Sequence, residues 1–226
     1  MTGKYILMPR KNILRQVPSF LFQDNYNTND GWTQVSTLVT VDDASFPDIC
    51  KANAATSGVD RRVHKSLGVT LSDTAWRAEF DFKSQSESTS GSLFSVISLA
   101  AGTANPHASS QDVVCVSNNW SGGPVLEIDY KDGAGAFTQS FPTIIAYTTN
   151  TQYYLRFERT SATNTKLSVF SDVNRTQHIT GSPINFTIPS TITGLTHIHH
   201  HTSTLVGGAR AFTMDLDNTT IYADLV

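Results

Sequence analysis

The sequence predicts one all-β domain in which two antiparallel sheets stack as a sandwich or jelly roll. Strand-like runs recur roughly every ten residues from about Phe20 onward, and Gly, Pro, Asn, Asp or Ser bounds each of them. Apolar residues nowhere keep a helical period over three turns. Many short antiparallel strands in one chain need closure or stacking to protect their edges, and this requirement predicts the sandwich.

The clearest strand is the run from Arg77 to Lys83. Ala78, Phe80 and Phe82 alternate there with charged residues, as expected for a strand with one buried face. Short turn-rich links between such runs favour antiparallel hairpins. The other predicted strands cover residues 36–41, 62–67, 93–100, 113–116, 125–130, 153–158, 166–170, 211–216 and 220–225.

Composition and charge limit the function classes. Of the 226 residues 39% are hydrophobic and 15% are charged, while Ser, Thr and Asn supply much of the polar surface, which is typical of β proteins. A net charge of −3 gives no field that would recruit nucleic acid or an anionic membrane. We therefore expect residues 19–226 to form a single domain that binds no nucleic acid and does not insert into a membrane.

Residues 1–18 precede the strand pattern and end at Pro18. Their longest uninterrupted apolar run, Tyr5 to Pro9, is too short for a signal-peptide core or a membrane span, so no signal peptide is visible. We interpret this segment as an N-terminal arm that attaches the domain to a protein assembly partner. Disorder of the same segment is the alternative.

The two cysteines, Cys50 and Cys115, lie in apolar strand-like runs. A buried free thiol is the commoner state in such a position, and one disulfide between them is the alternative in an oxidising compartment. Neither state is needed for folding, because a chain of this length buries about 70% of its unfolded surface.

A family resemblance lies in residues 152–175. Their sequence, QYYLRFERTSATNTKLSVFSDVNR, resembles the paired central strands of concanavalin A-like and laminin G-like jelly-roll domains. Residues 66–82 are similar to the family's edge-to-core strand entry, and residues 215–226 to its closing strand, which returns beside an opening strand such as 20–25. The resemblance implies two curved antiparallel sheets. Because that fold hosts lectins, adhesion modules, glycan hydrolases and virion proteins, it does not by itself select an activity.

Glu79 and Asp81 are the candidate acids of a laminarinase-type glycoside hydrolase, because they project from one face of a strand. The family pattern needs a further glutamate two or three residues on, and Lys83 and Ser84 stand there instead. No G-x-S-x-G or H-E-x-x-H motif is present either. We therefore predict no catalytic residues.

The sequence HIHHH contains His197, His199, His200 and His201. On a regular strand residues 197, 199 and 201 share one face, and imidazoles so placed can bind zinc, nickel or copper. Same-face residues of one strand are nevertheless too far apart to close a metal site without a neighbouring strand. We favour a polar sheet face or a pH-sensitive contact patch, with metal binding as the alternative.

Calcium is the metal that the resemblance implies, because such domains often connect the first strand to the last through this ion. Structural calcium takes about six to eight oxygen ligands. The candidate ligands are Asp24, Asp215, Asp217 and Asn218. These residues either bind calcium or cap turns and face solvent.

Glycan recognition commonly uses an aromatic platform together with Asn side chains that bind hydroxyl groups. Trp120 lies in a loop rich in Gly and Asn, where a large aromatic residue either contacts a ligand or packs back on the loop. The candidate ligand-binding residues are Trp120, Asn118, Asn119 and Trp32.

Taken together, these features favour a non-enzymatic, lectin-like surface module that binds glycans or mediates adhesion. We expect it on the extracellular surface or on a virion, with homo-oligomer formation left open. The first alternative is a capsid-decoration or assembly subunit without a sugar ligand. The second is a glycoside hydrolase whose acids come from separate strands.

Overall fold

A computed structural model describes residues 20–56, 60–87, 94–203 and 211–223. The predicted all-β class is confirmed, because this part of the chain forms two antiparallel sheets and contains no helix. Consequently, no helix within these ranges is long and apolar enough to cross a membrane. The predicted arm, residues 1–18, lies outside the described residues.

Each of the two sheets contains eight strands among the described residues. In chain order the strands are β1 (Phe20–Asp24), β2 (Thr33–Gln34), β3 (Val39–Asp43), β4 (Phe46–Thr56), β5 (Val63–Ser66), β6 (Trp76–Glu87), β7 (Phe94–Ala100), β8 (Val113–Trp120), β9 (Pro124–Lys131), β10 (Thr138–Gln139), β11 (Ile145–Ala146), β12 (Tyr153–Ser161), β13 (Asn164–Phe170), β14 (Ile184–Thr187), β15 (His197–Ser203) and β16 (Ala211–Ala223). Sheet A has the order β14-β13-β12-β6-β16-β4-β3, with β1 also paired to β16. Sheet B has the order β10-β9-β8-β7-β15-β5-β2, with β11 also paired to β9.

Strand β6 shows how the sequence places the core. Ala78, Phe80 and Phe82 have no exposed surface, whereas the residues between them are half-buried, as the alternation predicts. Val116 and Leu126 of sheet B belong to the same hydrophobic cluster. The core therefore fills the space between the two sheets, as in other sandwiches.

The first described strand lies beside the last one, which confirms the predicted pairing. Phe20 is opposite Tyr222 and Asp24 is opposite Thr219 in an antiparallel ladder. The two runs predicted at 211–216 and 220–225 belong to one strand, β16. Its ladder with β6 is irregular between Asp217 and Thr220, so a bulge connects the two predicted runs within one strand.

Strand β4 has no counterpart among the predicted strands, although it pairs with both β3 and β16. The alternation of apolar and polar residues along β4 is weak. Its core residues include the small side chains of Cys50 and Ala52, and Lys51 between them is also buried. Cys50 in sheet A and Cys115 in sheet B are both buried free thiols. The structure therefore contains no disulfide bond between Cys50 and Cys115.

Replacing the central core residue Phe80 tests this packing. Phe80→Ala removes a fully buried ring between the sheets and should lower the free energy of unfolding by about 3–5 kcal/mol. Val173→Ala is the matched control, because Val173 is 60% exposed and its truncation should change stability by about 0.5 kcal/mol at most. Denaturant unfolding measures both, and equal effects of the two changes would contradict the assigned core.

Candidate functional site

A cavity of about 380 Å³ opens at one end of the sandwich. Both sheets and one loop contribute to its wall, so its shape depends on how the sheets stack. Its lining residues are Ser86, Glu87, Trp120, Pro124, Tyr147, Thr148 and Thr149. Hydroxyl groups, one carboxylate and an indole ring thus face the same space.

The hairpin between β8 and β9 positions the indole of Trp120. Trp120 ends β8 and is paired with Pro124 at the start of β9, with three residues between them. Gly122 has a φ of 71°, a conformation that glycine adopts without strain, and it lets the chain reverse tightly. The half-buried ring of Trp120 is therefore held at the rim of the cavity.

A hydrogen-bond network fixes the carboxylate of Glu87. Asn118 Nδ2 donates to Glu87 Oε1 at 2.7 Å, and Ser84 Oγ donates to the same oxygen at 2.6 Å. The Tyr147 hydroxyl also donates to Glu87 and accepts from Asn118. Asn118 has no exposed surface, so this predicted ligand-binding residue orients Glu87 and Tyr147 from behind the cavity wall.

Asn119 points to the other face of β8, because successive side chains of a strand alternate. Its Nδ2 donates to Glu127 Oε1 at 3.0 Å, and its Oδ1 accepts from the backbone N–H of Trp120 at 2.8 Å. The structure thus separates two of the predicted residues, since Asn118 lies beside the cavity and Asn119 lies on the outer face of sheet B.

Glu127 and Asp129 form a buried pair of carboxyl groups on the same face of β9, and neither has any exposed surface. Burial raises the pKa of Glu127 to about 7, although the hydrogen bond from Asn119 lowers it. Burial and then the charge of Glu127 raise the pKa of Asp129 well above its usual range. Two adjacent buried carboxylates are unfavourable, so the pair keeps bound protons where isolated acids would have lost them.

The chain between β7 and β8, residues 101–112, covers part of this outer face. Lys131 Nζ donates to the carbonyl of Pro106 at 3.1 Å, and His107 Nε2 is 2.9 Å from Ser95 Oγ. The ring of His107 stacks on Phe137 with centroids 4.3 Å apart. These contacts explain how polar side chains on the outside of a sheet become buried.

Trp32 lies in the core and is not part of the cavity lining. It is 7% exposed, and its ring centroid is 5.6 Å from that of Tyr26 and 5.1 Å from that of His200. Its Nε1 donates to Asp24 Oδ2 at 2.9 Å. This tryptophan therefore packs inside the sandwich, whereas Trp120 lines the cavity.

Two of the predicted calcium ligands already have cationic partners. Lys65 Nζ lies 2.8 Å from Asp24 Oδ2, and Lys51 Nζ lies 3.0 Å from Asp215 Oδ1. An ammonium group at a carboxylate competes directly with a metal ion for the same oxygens. Asp24 and Asp215 as arranged therefore do not fit a calcium ion.

Asp217 and Asn218 lie at the bulge of β16 on the outer side of sheet A. Asn218 Nδ2 donates to Asp81 Oδ2 at 2.9 Å and to Asp217 Oδ2 at 3.1 Å. Within the ranges that the structure describes, no group of three or more His, Cys, Asp or Glu side chains could hold a metal ion. Calcium binding by Asp217 and Asn218 stays a prediction.

The histidines of β15 divide between the two faces of sheet B. His199 stacks on His64 with ring centroids 5.2 Å apart, while Tyr26 OH is 2.7 Å from Nε2 of the buried His200. His201 has a φ of 54° and lies beside the core residue Phe212, so the prediction that it shares a face with residues 197 and 199 is wrong. Its left-handed backbone interrupts the regular alternation of the strand.

Glu79 and Asp81 face outward on sheet A and take part in ion pairs. Arg156 Nε lies 2.8 Å from Glu79 Oε1, and Arg175 NH2 lies 2.9 Å from Asp81 Oδ1. Burial raises the pKa of Asp81, although the charge of Arg175 and a hydrogen bond from Asn218 lower it. The absence of a catalytic pair at these two positions stays a prediction.

Sequence reasoning missed two features of the site. The predicted strand ends at Lys83, whereas β6 extends to Glu87 and brings it to Tyr147. Glu127 and Asp129 repeat the spacing of Glu79 and Asp81 within a short apolar strand. Two acids on one face of such a strand are a pattern that could have predicted the buried pair.

The raised pKa of Glu127 predicts how stability depends on pH. The neutral form is favoured in the folded state, so the contribution is complete below the unfolded pKa of about 4.3 and is lost as the pH rises through about 7. Glu127→Gln stays neutral and should match the wild type near pH 4 and exceed its free energy of unfolding by about 3–4 kcal/mol near pH 8.

Denaturant unfolding at the two pH values measures this difference. Glu158→Gln is the control, because Glu158 is an ion-paired acid of sheet A, 2.8 Å from Lys166 Nζ, and its replacement should give no such gain. Parallel stability curves for the wild type and Glu127→Gln would contradict the assignment.

Comparison with known proteins places the fold. No family model and no curated protein matches the sequence. Among solved structures, the GH43 protein BlXynB from Bacillus licheniformis has a TM-score of 0.61 at 11% identity, with 89% of this chain and 39% of that chain covered. This chain therefore spans about two fifths of that protein.

Two further structures match over nearly their whole length. The CBM2 module of the evolved Dit of Lactobacillus casei BL23 phage J-1 has a TM-score of 0.54 at 7% identity, with 90% of this chain and 94% of that chain covered. The alginate lyase Aly36B, solved in complex with an alginate tetrasaccharide, has a TM-score of 0.51 at 12% identity, with 92% and 98% covered. Such similarity shows the fold alone, which is a two-sheet antiparallel β-sandwich.

Proposed function

We propose that this protein is a non-enzymatic carbohydrate-binding module whose ligand occupies the cavity beside Trp120. The observation that carries the proposal is the half-buried indole at the rim of a cavity of about 380 Å³. That volume lies within the range of small-molecule sites, and an aromatic face is a general platform for the apolar face of a sugar ring.

The polar part of the cavity supports the same ligand class. Ser86, Thr148 and Thr149 present hydroxyl groups that can both donate and accept, as sugar hydroxyls do. The carboxylate of Glu87 is held by Asn118 and adds an acceptor of fixed orientation. A preorganised acceptor costs little side-chain entropy when a ligand binds.

The structural neighbours add limited support. One is named as a CBM2 module and another was solved with an alginate tetrasaccharide, so two proteins of this fold have names or ligands connected with carbohydrate. Fold similarity does not transfer an activity. The ligand class is therefore argued from the cavity, and the neighbours agree with it.

A hydrolytic role has weaker support in the geometry. Glu79 and Asp81 are ion-paired, and the buried carboxyls of Glu127 and Asp129 have no surface that a polysaccharide could touch. A general acid must come within hydrogen-bond distance of the bond it protonates. We therefore propose binding without turnover.

A glycan array of the folded protein tests the proposal. The wild type should bind a subset of neutral or acidic glycans, and Trp120→Ala should weaken that binding at least about tenfold, because it removes the stacking platform. Phe20→Ala is the matched control, because Phe20 is also an aromatic residue and is 61% exposed. Phe20 pairs with Tyr222 at one end of β16, whereas the cavity residue Glu87 pairs with Phe212 at the other end.

The outcomes separate the alternatives. A silent array with correctly folded protein would contradict glycan binding and favour an assembly subunit without a sugar ligand. Release of new reducing or unsaturated ends from any polysaccharide, lost in Glu87→Gln, would contradict the non-enzymatic part of the proposal, because Glu87 is the carboxylate that lines the cavity.

A further inference from the structure

One side chain connects the buried pair Glu127 and Asp129 with the cavity. Asn119 donates to Glu127 Oε1 at 3.0 Å through Nδ2 and accepts from the Trp120 N–H at 2.8 Å through Oδ1. A primary amide donates and accepts at the same time, so the two bonds depend on one side-chain orientation. Two hydrogen bonds, both made by Asn119, therefore connect the acid Glu127 with Trp120, whose ring lines the cavity.

We propose that Glu127 and Asp129 form a proton-binding site that regulates ligand binding in the cavity beside Trp120. The identity of the ligand as a carbohydrate rests on the proposed function. The coupling between Glu127 and Trp120, in contrast, is a property of the protein alone and can be measured without a ligand.

The burial of both carboxyl groups on one strand face favours proton binding by the pair. Both carboxyl groups are fully buried on one face of β9, and among the described residues Glu127 Oε2 and both Asp129 oxygens lack a partner with hydrogen-bond geometry. Two like charges buried side by side are strongly unfavourable, and protonation removes that cost. The Ser117 hydroxyl lowers the pKa of Asp129, but burial raises it by more.

The groups that face the pair come from four places. Strand β8 supplies Cys115, whose thiol pKa burial raises, and strand β10 supplies Gln139, whose Nε2 is 3.3 Å from Glu127 Oε1. The covering segment supplies His107, whose pKa burial lowers to about 3, so it is neutral. Lys131, on β9 itself, directs its ammonium group to the carbonyl of Pro106.

Loss of the proton from Glu127 should act on Trp120 through Asn119. A buried carboxylate gains free energy by moving toward water, and the exposed Gln139 marks the side on which water is nearest. The hydrogen bond from Asn119 is stronger when Glu127 is charged, so the Asn119 side chain follows Glu127 and turns away from the Trp120 N–H. Ligand binding should therefore weaken as the pH rises through neutrality.

The coupling is tested by NMR on the protein alone. In the wild type the carboxyl carbon of Glu127 and the backbone amide of Trp120 should titrate with the same midpoint, near pH 7. In Glu127→Gln, which keeps an acceptor oxygen for Asn119, the Trp120 amide should not titrate. Glu158→Gln is the control and should leave the Trp120 titration unchanged, because Glu158 belongs to sheet A.

The regulation is tested on the immobilised glycan array at about pH 6 and about pH 8. Binding by the wild type should fall roughly fivefold between them, and binding by Glu127→Gln should stay constant. A Trp120 amide that does not titrate, or a wild-type affinity that is independent of pH, would overturn the inference. A silent array beside an intact Trp120 titration would contradict the proposed function while supporting the coupling.

Discussion

Exclusion of water from the space between the two sheets is the constraint on which the other features depend. Trp76, Phe80 and Phe157 have no exposed surface and lie in that space. Because strand side chains alternate, every strand that contributes an inward residue also presents an outward one. Strand β8 therefore separates the neighbours Asn118 and Asn119 into two hydrogen-bond networks, one inside the end of the sandwich and one on its outer face.

Polar groups enter the structure where the apolar core ends. Glu87, Asn118 and Tyr147 hydrogen-bond to one another at the open end, and these bonds hold the carboxylate in the wall of the cavity. On the outer face of sheet B the buried acids find fewer partners, and their affinity for protons rises. The same chemical group thus has a fixed role in one network and a titratable role in the other.

The parts that could be predicted from the sequence depend on local pattern. The all-β class, the buried face of β6 and the pairing of β1 with β16 all follow from alternation or from the quoted resemblance. The contact of Glu87 with Tyr147 could not be predicted, because 60 positions separate the two residues and stacking of the sheets brings them together. The bulges at His201 and Asn218 also escaped prediction, since a left-handed residue inside a strand leaves no periodic signal.

The position of β16 has a consequence for the order in which the chain folds during synthesis. This strand is the last of those described, yet it lies inside sheet A between β6 and β4 and also pairs with β1. Until it leaves the ribosome, β6, β4 and β1 expose unpaired edges, and an unpaired edge is a template for aggregation. Within the part of the chain that the structure describes, sheet B contains no strand after β15, so it can assemble earlier and shield the apolar face against which β16 closes.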